Sequence, residues 1–168
     1  MAAALTLPLL GLATSAAQAA AVRYGAEIAT ISQGTVATNH TGYSGTGFVD
    51  YTNITGSYVQ FTVNVDTAGS ASIALRYANG TTTNRPMDIT VNGTVVSAGA
   101  AFNGTGSWDT WATKTLTLNL AAGANTIRAT ATTANGAPTS TTSTAAPPQE
   151  PDRPSPSAAT SSPTRQAC

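Results

Sequence analysis

The chain has little of what enzymes and disulfide-bonded proteins use. Its 168 residues include one histidine, His40, and one cysteine, Cys168, which is the last residue. A single cysteine excludes an intramolecular disulfide, and no Cys/His spacing typical of a zinc site occurs. Charged residues make up only 8% of the chain and sum to a formal net charge of zero. That balance excludes the basic surfaces that hold nucleic acids or anionic membranes.

Catalytic motifs are equally scarce. His40 lies in a stretch rich in Gly, Thr and Ser with no cysteine nearby, which favours a loop residue bonded to backbone over a general base. No glycine loop of the phosphate-binding type occurs. A glycosidase needs two carboxylates about 5 to 10 Å apart. Asp88 and Asp109 keep that alternative open, although a turn-capping or solvent-facing role is favoured for each.

The first residues have the features of a signal peptide. An apolar stretch from Leu5 to Leu12 precedes Ala17-Gln18-Ala19, which fits a cleavage site after Ala19. The stretch is well short of the roughly 20 apolar residues that span a membrane. We therefore predict a signal peptide over residues 1–19 and a secreted, extracellular protein, although no Lys or Arg supplies the usual positive region before Arg23.

Residues 22–136 have the period of half-buried β-strands rather than of helices. The clearest run alternates polar residues with four apolar ones: Val59, Phe61, Val63 and Val65. Asn92-Gly93 has the composition of a two-residue hairpin turn. Short strands separated by Gly, Asn and Thr at intervals of about ten residues are typical of an all-β sandwich.

The composition changes at Ala137. Seven of the nine prolines follow it, among Ser, Thr and Ala and almost no large apolar residue. Such a segment buries too little apolar surface to offset the entropy lost on ordering. We therefore predict a disordered tail or linker over residues 137–168.

Residues suited to sugar recognition lie in the predicted loops. Sugar rings stack their C–H faces on aromatic side chains, and their hydroxyls pair with Asn, Asp and Arg. Trp108 lies in a loop, and Trp111 shares the outward parity of the strand that follows. Arg85 lies on a polar loop, where its guanidinium can bind a carboxylate with two hydrogen bonds. Structural roles stay open for all three, as partly buried anchors for the tryptophans and in a surface ion pair for Arg85.

Several short blocks resemble one family when they are taken in order. They are Tyr24-Gly25-Ala26-Glu27, the stretch 39–49, Leu75-Arg76-Tyr77-Ala78-Asn79-Gly80, Asn84-Arg85-Pro86, Val91-Asn92-Gly93, Ser107-Trp108-Asp109-Thr110-Trp111 and Ala124-Asn125-Thr126-Ile127-Arg128. Each block alone is weak, but their order and spacing resemble carbohydrate-binding module family 35, a relative of family 6. The resemblance covers Arg23 to about Gly136.

The resemblance implies a galactose-binding-domain-like β-sandwich jelly roll with a sugar site in the loops at one end. It implies that Tyr43, Arg85, Trp108 and Asn135 contact the sugar and that Glu27 binds a structural calcium. The implied function is non-catalytic binding of a polysaccharide or oligosaccharide by a monomer that targets a secreted glycoside hydrolase or polysaccharide lyase to plant or microbial polysaccharide. Several members of the family bind uronic acids with calcium, whereas others bind xylan, mannan or galactan.

The chain departs from the family's pattern at two places. Gly25 stands where the family has the first glutamate of Tyr-Glu-Ala-Glu, which removes one calcium oxygen. The family's last strand, of the type Asn-Leu-Asp-Tyr-Leu, gives way to Ala137-Pro138-Thr139-Ser140 and the tail. We therefore expect a sandwich truncated at its last strand, with an inner edge left unpaired. Our hypothesis for such a change is a shifted reading frame or a truncated gene.

Two alternatives to a binding module stay open. One is a small polysaccharide-acting enzyme that uses Asp88 or Asp109. The other is a cell-surface adhesion domain of the same fold with a degenerate sugar site.

Overall fold

The structure, a computed structural model, describes residues 20–146. Within that range the chain forms two antiparallel β-sheets and one short 3₁₀ turn, Ala26–Ile28. The sheets enclose a single apolar core, so the predicted all-β sandwich is confirmed. Between residues 20 and 146 there is no helix of the length and apolar character needed to cross a membrane. The predicted signal peptide, 1–19, lies outside the described residues.

The strands are short and are joined by loops of varied length. In chain order they are β1 (Val22–Gly25), β2 (Thr30–Ser32), β3 (Gly34–Ala37), β4 (Phe48–Tyr51), β5 (Tyr58–Val65), β6 (Gly69–Ala78), β7 (Met87–Val91), β8 (Thr94–Ala100), β9 (Ala112–Leu120), β10 (Gly123–Ala131) and β11 (Thr139–Ala146). The first sheet has the order β3-β4-β11-β6-β9, with β1 also paired to β11. The second has the order β2-β5-β10-β7-β8.

The alternation predicted from the sequence matches the observed burial. Val59, Phe61, Val63 and Val65 of β5 are all buried, while the residues between them are exposed or half-buried. This follows because successive side chains of a strand point to opposite faces, and only one face of each sheet meets the core. The β7–β8 hairpin turns at Asn92 and Gly93, both with positive φ, as a two-residue turn of this kind requires.

The predicted disordered tail, residues 137–168, and the predicted loss of the last strand are wrong for residues 139–146, which form strand β11. Residues Thr139–Ala146 form a strand with β6 along one edge and with β4 and β1 along the other. The rest of the predicted tail, 147–168, lies outside the described residues. The prediction weighed only the lack of large apolar side chains, whereas a central strand is also stabilised by backbone pairing on both edges. Threonine, moreover, is well suited to strands.

The hydroxyl groups of β11 are used in hydrogen bonds. Thr139 Oγ1 donates to Ala78 O on β6 at 3.0 Å. Thr141, fully buried, donates through Oγ1 to Ser44 O and accepts from Ser44 N at 2.8 Å. Because a buried polar group is costly only when it lacks a partner, a strand rich in Ser and Thr fits this central position.

Two small imperfections lie along β11. A cavity of about 10 Å³ lies between the sheets, lined partly by Ser140 and Thr142 of β11 and by Phe61, Leu75 and Phe102. The Oγ atom of Ser143 is buried without a hydrogen-bond partner among the described residues. Both features lower stability, since a void loses packing contacts and an unpaired hydroxyl has lost its hydration.

Removing β11 tests its place in the fold. A chain of residues 20–136 leaves β6 with an unpaired edge and β1 with no partner strand, so we expect it to lack a cooperative thermal transition. The matched control is a chain of residues 20–146, which should unfold cooperatively in calorimetry. Equal transitions for the two chains would show that β11 contributes nothing to the sandwich.

Candidate functional site

Five loops meet at one end of the sandwich: 38–47, 52–57, 79–86, 101–111 and 132–138. Hydrogen bonds between their residues join them directly, from loop 79–86 to loops 52–57, 101–111 and 132–138, and from loop 38–47 to loop 101–111. Four of the predicted sugar contacts lie in these loops. The structure thus places Tyr43, Arg85, Trp108 and Asn135 at the same end of the sandwich.

Asn79 fixes the shape of loop 79–86. Its side chain is fully buried, and Nδ2 donates to Thr83 O at 2.9 Å and to Phe102 O at 3.0 Å. Its Oδ1 accepts hydrogen bonds from the backbone N–H and the hydroxyl of Thr81. Asn79 was not among the residues predicted to form the site. The signal in the sequence is the pair Asn79-Gly80, because an Asn side chain can accept a hydrogen bond from the backbone two residues further along the chain.

Arg85 is more buried than its polar loop suggests, with only 7% of the residue exposed. Its Nη1 donates to Asn53 Oδ1 at 2.9 Å and to Ala137 O at 3.2 Å, and its Nε is buried without a partner in the described range. Burial lowers the pKa of Arg85, and the charge of Asp50 offsets part of this effect. The alternative of a surface ion pair is not borne out, because no carboxylate of residues 20–146 lies within 4.0 Å of it.

Trp108 lies beside Arg85. The guanidinium carbon of Arg85 is 5.1 Å from the centre of the indole ring. The ring also packs on the backbone of Gly80, where an added Cβ would come within 2.5 Å of it. The indole is half-buried. Trp108 is thus held in place by Arg85 and Gly80 while part of its surface faces solvent.

Phe48 links the other aromatic residues of this end. Its fully buried ring is 5.6 Å from His40, 5.7 Å from Tyr43 and 5.8 Å from Trp111. His40 in turn lies 6.3 Å from Trp108 with the two rings close to parallel. Tyr43 is half-buried and belongs, through Phe48, to the same aromatic cluster as His40 and Trp111.

Trp111 and Asp109 clamp loop 38–47 onto loop 101–111. Trp111 Nε1 donates to Thr41 O at 2.8 Å, while Asp109 Oδ1 accepts from Thr41 N at 2.6 Å and from its hydroxyl at 3.2 Å. The Thr41 backbone bond, with a smaller contribution from His40, lowers the pKa of Asp109. Trp111 is therefore the structural anchor that the sequence left as an alternative. Asp109 caps a loop, and Asp88 accepts the Gly99 amide at 2.7 Å in a similar role.

Asn135 is exposed in loop 132–138, beside the segment that binds Arg85. The loop turns at Gly136, whose φ is +72°, and an added Cβ there would collide with the backbone of Asn53. This close approach places loop 132–138 against loop 52–57. Asn53 was not among the predicted contacts.

Glu27 lies away from Trp108, next to the Gly45 end of loop 38–47. Its Oε1 accepts from Thr46 N at 3.3 Å, and its Oε2 is buried without a hydrogen-bond partner in the described range. A Cβ added at Gly25 or Gly45 would collide with the carboxylate. Residues 20–146 contain no cluster of three or more His, Cys, Asp or Glu side chains that could hold a metal ion.

This geometry can be set beside known proteins. The family model of carbohydrate binding module family 35 matches residues 22–135. The chain belongs to this family. A module of the family from Clostridium thermocellum has the same fold, with a TM-score of 0.75 and 42% identity over 77% of this chain and 99% of that one. The matched region is a binding module, which is a non-catalytic type of domain.

Two further relatives are informative. An exo-beta-D-glucosaminidase of Amycolatopsis orientalis is 57% identical over 117 residues, which is 70% of this chain and 11% of that enzyme. A family 35 module solved in complex with a disaccharide containing glucuronic acid has a TM-score of 0.70 and 30% identity, covering 76% of this chain and 94% of that one. The present chain thus corresponds to a small part of the enzyme and to nearly all of the isolated module.

The contact of Gly80 with Trp108 gives a test of how tightly the loops are built. Gly80→Ala places a methyl group against the indole, so we expect a loss of about 1 to 3 kcal/mol in the free energy of unfolding. Calorimetric midpoints measure it, and Thr82→Ala, in the exposed part of the same loop, is the control. An unchanged midpoint for Gly80→Ala would mean that the indole is free to move.

Proposed function

We propose that the loop end carrying Trp108 and Arg85 binds polysaccharide and targets an attached catalytic domain of a secreted glycoside hydrolase or polysaccharide lyase to plant or microbial material. The observation that supports it is a half-exposed indole with a guanidinium 5.1 Å from its centre, both held by hydrogen-bonded loops. An aromatic face next to fixed donors is what a sugar ring requires. The module acts as a monomer in this proposal.

The charge of Arg85 supports an acidic sugar as the ligand. A buried cation without a paired carboxylate is unfavourable on its own, and an anion placed near it recovers part of the lost hydration energy. Among residues 20–146 no ion pair is made by Arg85. A uronic acid brings such a carboxylate, and a relative of 30% identity has been solved with a disaccharide that contains glucuronic acid. We therefore favour uronic acid sugars over neutral ones.

The remaining predicted contacts have complementary roles. Tyr43 contributes a phenol from the aromatic cluster around Phe48. Asn135 presents an exposed amide from the loop beside Arg85. An amide both donates and accepts, and therefore matches a sugar hydroxyl. The site combines these groups on backbone that is already ordered, which lowers the entropy lost on binding.

Removing the indole tests the sugar site directly. We expect Trp108→Ala to weaken binding of a glucuronic-acid-containing oligosaccharide at least about tenfold, because a stacked aromatic supplies a large share of the binding energy. Isothermal titration measures the affinity. Tyr58→Ala removes an aromatic ring from the outer sheet face, where it stacks with Arg128, and is the control. Equal affinity for Trp108→Ala and the wild type would contradict the proposal.

Calcium at Glu27 is the second part of the proposal. A buried carboxylate oxygen without a donor fits a cation, and Ca²⁺ takes six to eight oxygens, many of them from backbone or hydroxyl groups. Glu27 supplies the acidic ligand. Since Gly25 adds no carboxylate, the other oxygens come from neutral groups, including the hydroxyl-rich strand β11 that pairs with Gly25 at Thr142.

Calcium should therefore stabilise the fold. At a hundredfold excess over its Kd, a ligand that binds only the folded state adds about 2.7 kcal/mol to the free energy of unfolding. We expect Ca²⁺ to raise the melting midpoint of the wild type and a chelator to reverse the rise. Glu27→Gln should lose this response, while Asp66→Asn, an exposed carboxylate elsewhere, should keep it. If calcium leaves the melting midpoint of the wild type unchanged, this part of the proposal is disproved.

A further inference from the structure

His40 is the histidine of the aromatic cluster around Phe48, and histidine is the side-chain type whose charge ordinarily changes near neutral pH. Its ring is half-buried and packs against Phe48 at 5.6 Å and beside Trp108 at 6.3 Å. Its Nδ1 is 3.6 Å from Asp109 Oδ1. His40 was not among the predicted sugar contacts, and the proposed function does not use it.

The groups around His40 define what its protonation does. Asp109, on loop 101–111, is the carboxylate that faces it. The other packed rings, Phe48 and Trp108, are uncharged, while Arg85 lies over Trp108 and Arg76 lies over the neighbouring Trp111. A proton on His40 therefore gains a favourable contact with Asp109 and adds a second positive charge beside the indole that Arg85 already flanks.

We propose that His40 is a positioning and specificity residue of the sugar site, and that its protonated form favours acidic sugars. This inference rests on the proposed function at Trp108. The imidazolium ties loop 38–47 to Asp109 and places a positive charge close to a uronate stacked on Trp108. A neutral sugar gains little from that charge, so protonation raises the preference for acidic over neutral ligands.

The sign of the pH effect follows from the ionisation of both partners. A sugar carboxylate, like other carboxylates with pKa values near 3 to 4, stays ionised between pH 5.5 and 7.5, whereas an ordinary histidine passes from mainly charged to mainly neutral in that range. The affinity for a uronate should therefore rise as the pH falls. For the imidazolium of His40 and a sugar carboxylate at a partly exposed site, where water screens the attraction, we expect roughly a twofold to fivefold change in Kd.

Isothermal titration at pH 5.5 and 7.5 tests the inference with two probes, a glucuronic-acid-containing disaccharide and its neutral glucose counterpart. For the acidic probe we expect the wild type to bind about twofold to fivefold more tightly at pH 5.5, and the neutral probe to show a ratio near one. His40→Gln, which stays neutral, should give a ratio near one for both probes. His40→Arg, which stays charged, should bind the acidic probe equally well at both pH values.

The outcomes separate this inference from the proposed function. Binding of the acidic probe with the same pH dependence in wild type and His40→Gln would overturn the role of His40 and leave the sugar site intact. No binding of either probe at either pH, by a chain whose melting transition shows that it is folded, would overturn the proposed function and the role of His40 together. Melting curves of all variants at both pH values complete the experiment.

Discussion

The sandwich depends on the backbone pairing of β11. This strand lies between β6 on one side and β4 with β1 on the other, so the first sheet is continuous only through it. It accomplishes this with Thr, Ser and Ala, because strand pairing uses main-chain groups that every residue except proline provides. The side chains then have a second task, which Thr141 performs by binding the backbone of loop 38–47. A strand poor in apolar residues thus connects the sheet to the loops at this end of the sandwich.

The loop end is rigid for related reasons. Asn79 and Asp109 bind backbone groups of neighbouring loops, and Arg85 joins three loops at once through Asn53 and Ala137. Polar side chains placed this way fix the positions of the loops relative to one another, so the protein itself sets the geometry of this surface. The buried charge of Arg85 is not paired with any carboxylate of residues 20–146.

Sequence reasoning reached the sandwich and the Asn92-Gly93 turn, because the period of apolar residues and the chemistry of turns act locally. It was wrong about β11, since a composition rich in hydroxyl residues resembles a linker until its pairing partners are known. It also left the burial of Arg85 and the contacts of His40 undetected. Both arise from loops distant in sequence, and nothing in residues 84–86 or 39–41 alone reveals them. Tertiary packing decides which polar residues of a loop are buried and which remain available.

Both tryptophans of the chain, Trp108 and Trp111, lie in loop 101–111. The tryptophan fluorescence of this protein therefore comes from one end of the sandwich alone. The two rings differ in surroundings, since Trp111 donates a hydrogen bond to Thr41 O whereas Trp108 is half-exposed beside a guanidinium and an imidazole. The wavelength and intensity of tryptophan emission therefore report on the surroundings of loop 101–111 alone, without any added label.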